Sequence, residues 1–268
     1  MRWRYVLKML ARSRSVRFAM SAADARRSAT LAKLRWHGRD VFYRPGTSDA
    51  SIIYQHLVRS GAKAEYFLPP ALAPQVIVDI GSNIGASILY FRELFPQAQI
   101  FGFEPHPETF EVLQRNVGGL ERVSVFNFGV GTSDTTLSLP LVGGNFGGFG
   151  AKRATADGTT AQVACEFRHA GDALRKLGIA RVDLLKIDCE GSELDVFRSL
   201  PAGTITGCKW IVGEMHDASA FEIFAMLAPH FDLDLRKRMF NDCFRFHACN
   251  RSHAAELKGG FDVGGLQI

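Results

Sequence analysis

The segment VIVDIGSNIG at positions 76–85 restricts the fold of this chain more than any other. Val76–Ile80 is a short apolar run of the kind that fills a buried parallel strand. A glycine-rich turn follows, and residues 86–95 read as a helix with Pro96 just beyond its end. In an open α/β sheet, ligands bind past the carboxyl ends of the strands, at the point where strand order reverses. Gly81 and Gly85 are therefore expected to let backbone approach a ligand closely.

The same alternation continues downstream. Residues 100–104, 123–128, 182–188 and 210–215 are apolar runs of strand length, and helices are expected over 107–116, 192–200 and 218–228. Pro107 suits a first helical turn. Residues 231–236 and 243–247 read as a closing strand pair. Such alternation predicts an α/β fold with a mostly parallel sheet and helices on both faces. Residues 129–168 are rich in Gly and Thr, with GGNFGGFG at 143–150, and suggest a hairpin with a mobile insertion. Four segments are expected: a basic, helix-leaning arm (1–40), a cap or lid segment (41–70), the ligand-binding domain (71–250) and a tail (251–268).

Composition narrows the class. Hydrophobic residues make up 47% and charged residues 22%, which excludes disorder as the default state. The net charge of +5 is concentrated at the start, where Arg2, Arg4, Lys8, Arg12, Arg14, Arg17, Arg26 and Arg27 face one acid, Asp24. This arm is expected to be a solvated extension or a peripheral contact to a membrane, with no nucleic acid expected as partner. Arginines interrupt it before a secretory apolar core can form, and no run approaches a membrane span. A soluble, cytoplasmic protein, touching a membrane at most, is expected. The five cysteines include no CxxC pair, so buried thiols are expected rather than disulfides or zinc.

Three strand ends carry the chemistry. Asp79 closes the first strand, and its carboxylate would repel a pyrophosphate; the full GxGxxG pattern is also missing. A cationic ligand such as S-adenosylmethionine, with its sulfonium and ammonium groups, suits that carboxylate. Glu104 ends the second strand about twenty residues past the loop, where such folds hold ribose hydroxyls. Asp188 and Glu190 end another strand in LLKIDCEGSE, where Ser192 is placed to cap the next helix. Glu214, His216 and Asp217 end the neighbouring one. In the 41–70 segment, Arg44-Pro45-Gly46-Thr47-Ser48-Asp49 is a turn in which Ser48 or Asp49 can cap a helix running through Val58.

Together these segments resemble the FkbM family of S-adenosylmethionine-dependent methyltransferases over roughly residues 41–217. The resemblance runs through RPGTSD, EY at 65–66, VIVDIGSNIG, GFEPHP, NFGVG, LLKIDCEGSE and GEMH. NFGVG departs from it, since Phe128 stands where the family more often has a small residue. The resemblance implies a Rossmann-like class I fold with a seven-stranded sheet. It implies S-adenosylmethionine bound by Asp79, Gly81, Asn83, Gly85, Glu104 and Glu65, and O-methylation of a sugar, glycan or other hydroxylated small molecule. Glu65 and Tyr66 are expected at the methionine end of the cofactor.

An alcohol acceptor must lose its proton, so a general base is needed. His216 is the first candidate, because an ordinary histidine is substantially neutral at pH 7. Asp188 and Glu190 follow. Asp188, Glu190, His216 and Asp217 offer oxygen and nitrogen ligands for a divalent ion, though no metal is expected. RPGTSD is read as a lid with Arg44 and Asp49 paired, or as a structural turn, and the 143–150 insertion as a cover for the acceptor site. The rival readings are an NAD-dependent oxidoreductase or sugar epimerase, and a non-enzymatic binder acting through the basic arm.

Overall fold

The computed structural model describes residues 2–21, 30–59, 65–140, 162–237 and 243–257. Its centre is a seven-stranded sheet of order β11-β12-β10-β9-β3-β4-β5. The strands are β3 (Val76–Ile80), β4 (Gln99–Phe103), β5 (Val123–Phe126), β9 (Leu184–Ile187), β10 (Trp210–His216), β11 (Phe231–Lys237) and β12 (Cys243–Asn250). Strands β5, β4, β3, β9 and β10 are parallel, whereas β12 runs antiparallel to both β10 and β11. This is the sheet expected from the alternation. The order reverses between β3 and β9, so their carboxyl ends frame the crevice.

Helices cover both faces, because the parallel strands are apolar on both sides. One core layer joins Val78, Phe103, Leu185 and Ile211 to α6 (Ala170–Lys176), α7 (Glu193–Ser199) and α9 (Ala220–Leu227). The opposite layer joins Ile77, Ile100, Leu184 and Val212 to α4 (Ala86–Leu94) and α5 (Pro107–Val117). A short α8 (Ala202–Gly207) leads into β10.

A side sheet of three strands joins β6 (Gly129–Gly131), β8 (Gln162–His169) and β7 (Thr135–Pro140), in that order. The expected hairpin is the antiparallel β7–β8 pair. GGNFGGFG lies outside the described residues, and so does most of the tail.

The N-terminal region departs from expectation. Residues 1–40 do not form one helix-leaning arm. Two helices, α1 (Arg2–Ser13) and α2 (Val16–Ser21), are followed by a hairpin of β1 (Ala32–Trp36) and β2 (Arg39–Tyr43). Its two-residue loop has both His37 (φ 41°) and Gly38 (φ 81°) in the left-handed region, the geometry that matches strand twist. Val6, Met9, Phe18 and Ala19 of the helices are buried with Leu34, Val41 and Tyr43 against Ile84, Leu89 and Val112. The helices are therefore docked on the body rather than solvated. Asn116 of α5 fastens the hairpin as a backbone mimic. It accepts from Phe42 N at 2.6 Å and donates to Phe42 O and Ile84 O.

The RPGTSD turn leads into α3 (Asp49–Ile53), continued by a π-helical turn over Tyr54–Val58, so the helix ends where expected. Its capping differs. Ser48 makes no side-chain cap, and Asp49 gives its carboxylate to Arg44 instead. Arg44 binds both carboxylate oxygens, through Nε at 2.8 Å and Nη2 at 2.9 Å, and reaches Thr109 of α5 through Nη1. Both residues are buried, so the pairing is as expected, but it locks the turn onto α5. Among the described residues no helix is long and apolar enough to cross a membrane. All five cysteines are free thiols, Cys165, Cys208, Cys243 and Cys249 of them buried.

Candidate active site

The loop after β3 is built by neighbours rather than by its own glycines alone. Gly81 (φ 77°) lies so close to β9 that a Cβ there would stand 1.9 Å from the Asp188 carbonyl oxygen. Gly85 (φ 85°) opens α4, and a Cβ would meet Leu113 at 2.7 Å. Each glycine is thus demanded by internal packing and by positive φ. The expectation that they serve ligand approach is corrected to that extent. Asn83 also takes a left-handed conformation (φ 48°), which its side chain supports by accepting from Ile84 N at 2.8 Å.

Asp79 is fully buried, with Oδ2 accepting from Ser87 at 2.5 Å and Oδ1 at 3.0 Å from Lys186 Nζ. The expected direct meeting of Asp79 with a cationic ligand gives way to an internal ion pair. Lys186 of β9 also donates to Ile80 O and, at 2.6 Å, to Gly81 O, so one ammonium ties the loop to the neighbouring strand. Burial alone would lower the Lys186 pKa, but Asp79 and Asp188 raise it, keeping the ammonium charged.

Glu104 stands where the ribose-binding carboxylate is expected. Its Oε2 accepts from Asn83 N at 3.0 Å and Oε1 from His106 N at 2.9 Å, which joins the ends of β3 and β4. Burial pushes its pKa up to about 7, against the lowering effect of those two amides. Each oxygen keeps a further lone pair for a hydroxyl donor.

The ends of β9 and β10 carry the second cluster. Tyr66 donates to Asp188 Oδ2 at 3.0 Å. His216 places Nδ1 3.0 Å from Glu193 Oε1 and Nε2 3.3 Å from Glu190 Oε2. Asp188, Glu190 and His216 are thus brought together as expected. Glu193 was not expected. It is fully buried at the start of α7 and also accepts from Cys189 N and Gly191 N. Ser192, expected to cap α7, makes no side-chain cap. Only the spacing DCEGSE hints at this: a Glu two residues past a glycine turn can fold back on the turn's amides.

His216 is corrected as a base. Burial opposes its charged form, yet hydrogen bonds to Cys243 and Glu193 and the charges of Glu193 and Asp188 push its pKa up to about 12. An imidazolium has no lone pair to accept a proton. Asp188 shifts the other way: burial would raise its pKa, but Lys186, His216 and the Tyr66 hydroxyl hold it low, so it is a carboxylate.

Two further expected members have partners of their own. Glu65 is buried and paired with Arg245 at 2.6 Å and Arg59 at 3.7 Å, so its charge is engaged by protein. Asp217 accepts from Ser219 N at 2.7 Å, which shapes the turn into α9. Among the described residues, the groups of three whose ligand atoms lie within 4.8 Å of one another are Asp188, Glu193 and His216, and separately Glu214, His216 and Cys243.

The strand ends are therefore rich in carboxylates, and Lys186, Arg44, Arg245 and His216 are each held by a carboxylate of the protein. This donor set fits a cation bearing vicinal hydroxyls and offers little to a pyrophosphate. A model of the methyltransferase FkbM domain matches residues 79–245, spanning both clusters. The chain belongs to the FkbM methyltransferase family. It is an S-adenosylmethionine-dependent methyltransferase, and the NAD-dependent reading falls away. Methyltransferase sdnD of Sordaria araneosa is 32% identical over 189 residues, 59% of this chain and 72% of that protein. The 2-O-methyltransferase NoeI of Sinorhizobium fredii is 29% identical over 163 residues, 55% of this chain and 65% of its own length. A crystal structure of methyltransferase FkbM from Methylobacillus flagellatus superposes with a TM-score of 0.48 at 16% identity, covering 72% of this chain and 47% of that one.

Proposed function

We propose that this FkbM methyltransferase methylates a hydroxyl of a sugar, glycan or other hydroxylated small molecule. The convergence of Asp188, Glu190, Glu193 and His216 beside the strand end of the cofactor loop carries the reading. A relative's description as a 2-O-methyltransferase supports oxygen as the acceptor atom.

In this reading Glu104 takes the ribose hydroxyls of S-adenosylmethionine, and the backbone of Gly81, Asn83 and Gly85 borders the cofactor. Asp79 acts at one remove, by holding Lys186 and through it the loop. When bound, the cofactor supplies an electrophilic methyl group. The protein's share is to align the acceptor oxygen and to receive its proton.

That proton goes to the carboxylates of Asp188 and Glu190. His216, cationic between Glu190 and Glu193, fixes where they stand. Tyr66 holds Asp188 from the other side. Glu65, paired with Arg245, fixes the backbone next to Tyr66.

Incubating the chain with methyl-labelled cofactor and fractionated lysate tests the proposal. Label should enter glycan or polar small-molecule fractions as a base-stable methyl ether. Label confined to amine or carboxylate products would overturn it.

A further inference from the structure

Helices α1 and α2 present an outer face that the core does not explain. In α1, Val6 and Met9 point inward and are buried, while Tyr5 donates to or accepts from Ser51 at 2.9 Å. The opposite side divides into two stripes. Trp3, Leu7 and Ala11 follow one another at every fourth position, and Arg4, Lys8 and Arg12 run beside them. Trp3 is 68% exposed and Leu7 61%. Helix α2 continues the pattern with Val16, 65% exposed, and Met20 beside Arg17, and exposed Arg14 lies at the junction. No acidic residue occurs between positions 2 and 21.

We infer that this face is a docking surface for an anionic lipid bilayer. A helix lying in the interface buries apolar side chains below the headgroups and sets its Arg and Lys against phosphates. A tryptophan at such a margin is at home, since its ring is apolar and its N–H polar. The competing occupants fit less well. A nucleic acid would use the cations but leave Leu7, Val16 and Met20 in water. A second copy of the same face would set cations against cations.

The surface is tied to the catalytic edge. Arg12 donates to the Tyr54 hydroxyl, and the rings of Tyr5 and Tyr54 meet edge-on at 5.4 Å. Tyr54 opens the π-helical turn, whose His56 ring lies 4.9 Å from Tyr66, the donor to Asp188. A bilayer bound at α1 is therefore linked to the Asp188 carboxylate through Tyr54, the π-helical turn and Tyr66. The inference does not depend on which acceptor is methylated.

The test is co-sedimentation of the full chain with vesicles of phosphatidylcholine alone or mixed with phosphatidylglycerol. Binding should be confined to the anionic vesicles, weaken as salt rises, and shift tryptophan emission to the blue in the wild type but not in Trp3→Phe. Arg4→Glu with Lys8→Glu, and separately Trp3→Ser with Leu7→Ser, should each weaken binding at least about tenfold with the thermal melt unchanged. Wild-type protein left in the supernatant with both vesicles would overturn the inference. So would variants that sediment like wild type. Lipid-free self-association lost in the same variants would reassign the face to a copy of this chain. Retention of a single-stranded RNA without vesicle binding would reassign it to nucleic acid.

Discussion

The two halves of the sheet edge hold their carboxylates in different ways. At the ends of β3 and β4, each carboxylate has fixed partners: Asp79 has Lys186 and Ser87, and Glu104 has the amides of Asn83 and His106. At the ends of β9 and β10, Asp188, Glu190 and Glu193 gather around one imidazole, and Tyr66 adds a hydroxyl. The first half is set by backbone and one buried ammonium, so its geometry precedes any ligand. The second shares charge among side chains, so the position of each group depends on the others. A binding site gains from the first arrangement, and a site that must accept a proton gains from the second.

The contrast can be broken most severely in the reactive half. Asp188→Asn combined with Glu190→Gln should lower turnover by about 10²–10⁴, the usual worth of a positioned base. Cofactor affinity by calorimetry should stay within a few-fold; if turnover survives, the proton leaves by another route. In the binding half the largest effect should fall on stability. Lys186→Met strands the Asp79 charge in the core and should cost about 3–5 kcal/mol in denaturant unfolding. Adding Asp79→Asn should recover much of that loss, and no recovery would mean the ion pair is not the cause. Smaller again is Glu104→Gln, which should weaken S-adenosylmethionine binding about tenfold, near ~1.4 kcal/mol, with turnover at saturation little changed.

The smallest effect is in pH dependence, and it has opposite signs in two measurements. Burial raises the Glu104 pKa from 4.5 to about 7, so between those values the unfolded chain ionises while the folded one stays protonated. Its contribution to stability is fully present below about 4.5 and is lost as pH rises through about 7. Cofactor affinity should move the other way, rising several-fold as the carboxylate ionises and becomes a double acceptor. Glu104→Gln should flatten the affinity profile, and a profile as steep as wild type would place the titrating group elsewhere.

Much of this was legible in the chain. The apolar runs at 76–80, 100–104 and 210–215 differ from the observed strands by one residue at most, because buried parallel strands must be continuously apolar. Glu104 was legible because its position depends on a local strand end. Glu193 was not, since its partner His216 lies 23 positions away on another strand. The fate of Asp79 was hidden for the same reason: nothing local reveals that Lys186 stands beside it. The β1–β2 hairpin had a signal that charge obscured. Ala32, Leu34 and Trp36 alternate with Lys33 and Arg35, and His37-Gly38 supplies the turn. The arginines around it drew the reading toward a basic arm.

The ammonium of Lys186 has a consequence for how this chain assembles. Lys186 donates to Ile80 O across 106 positions, and it completes the loop that opens the cofactor site. Contacts that distant close late, after the entropy of the intervening chain has been lost. A chain emerging from the ribosome with VIVDIGSNIG already exposed still lacks the group that sets its shape. Capture of the methyl donor therefore begins only when β9 has slotted in beside β3, so ligand binding is a reporter of that long-range step in folding.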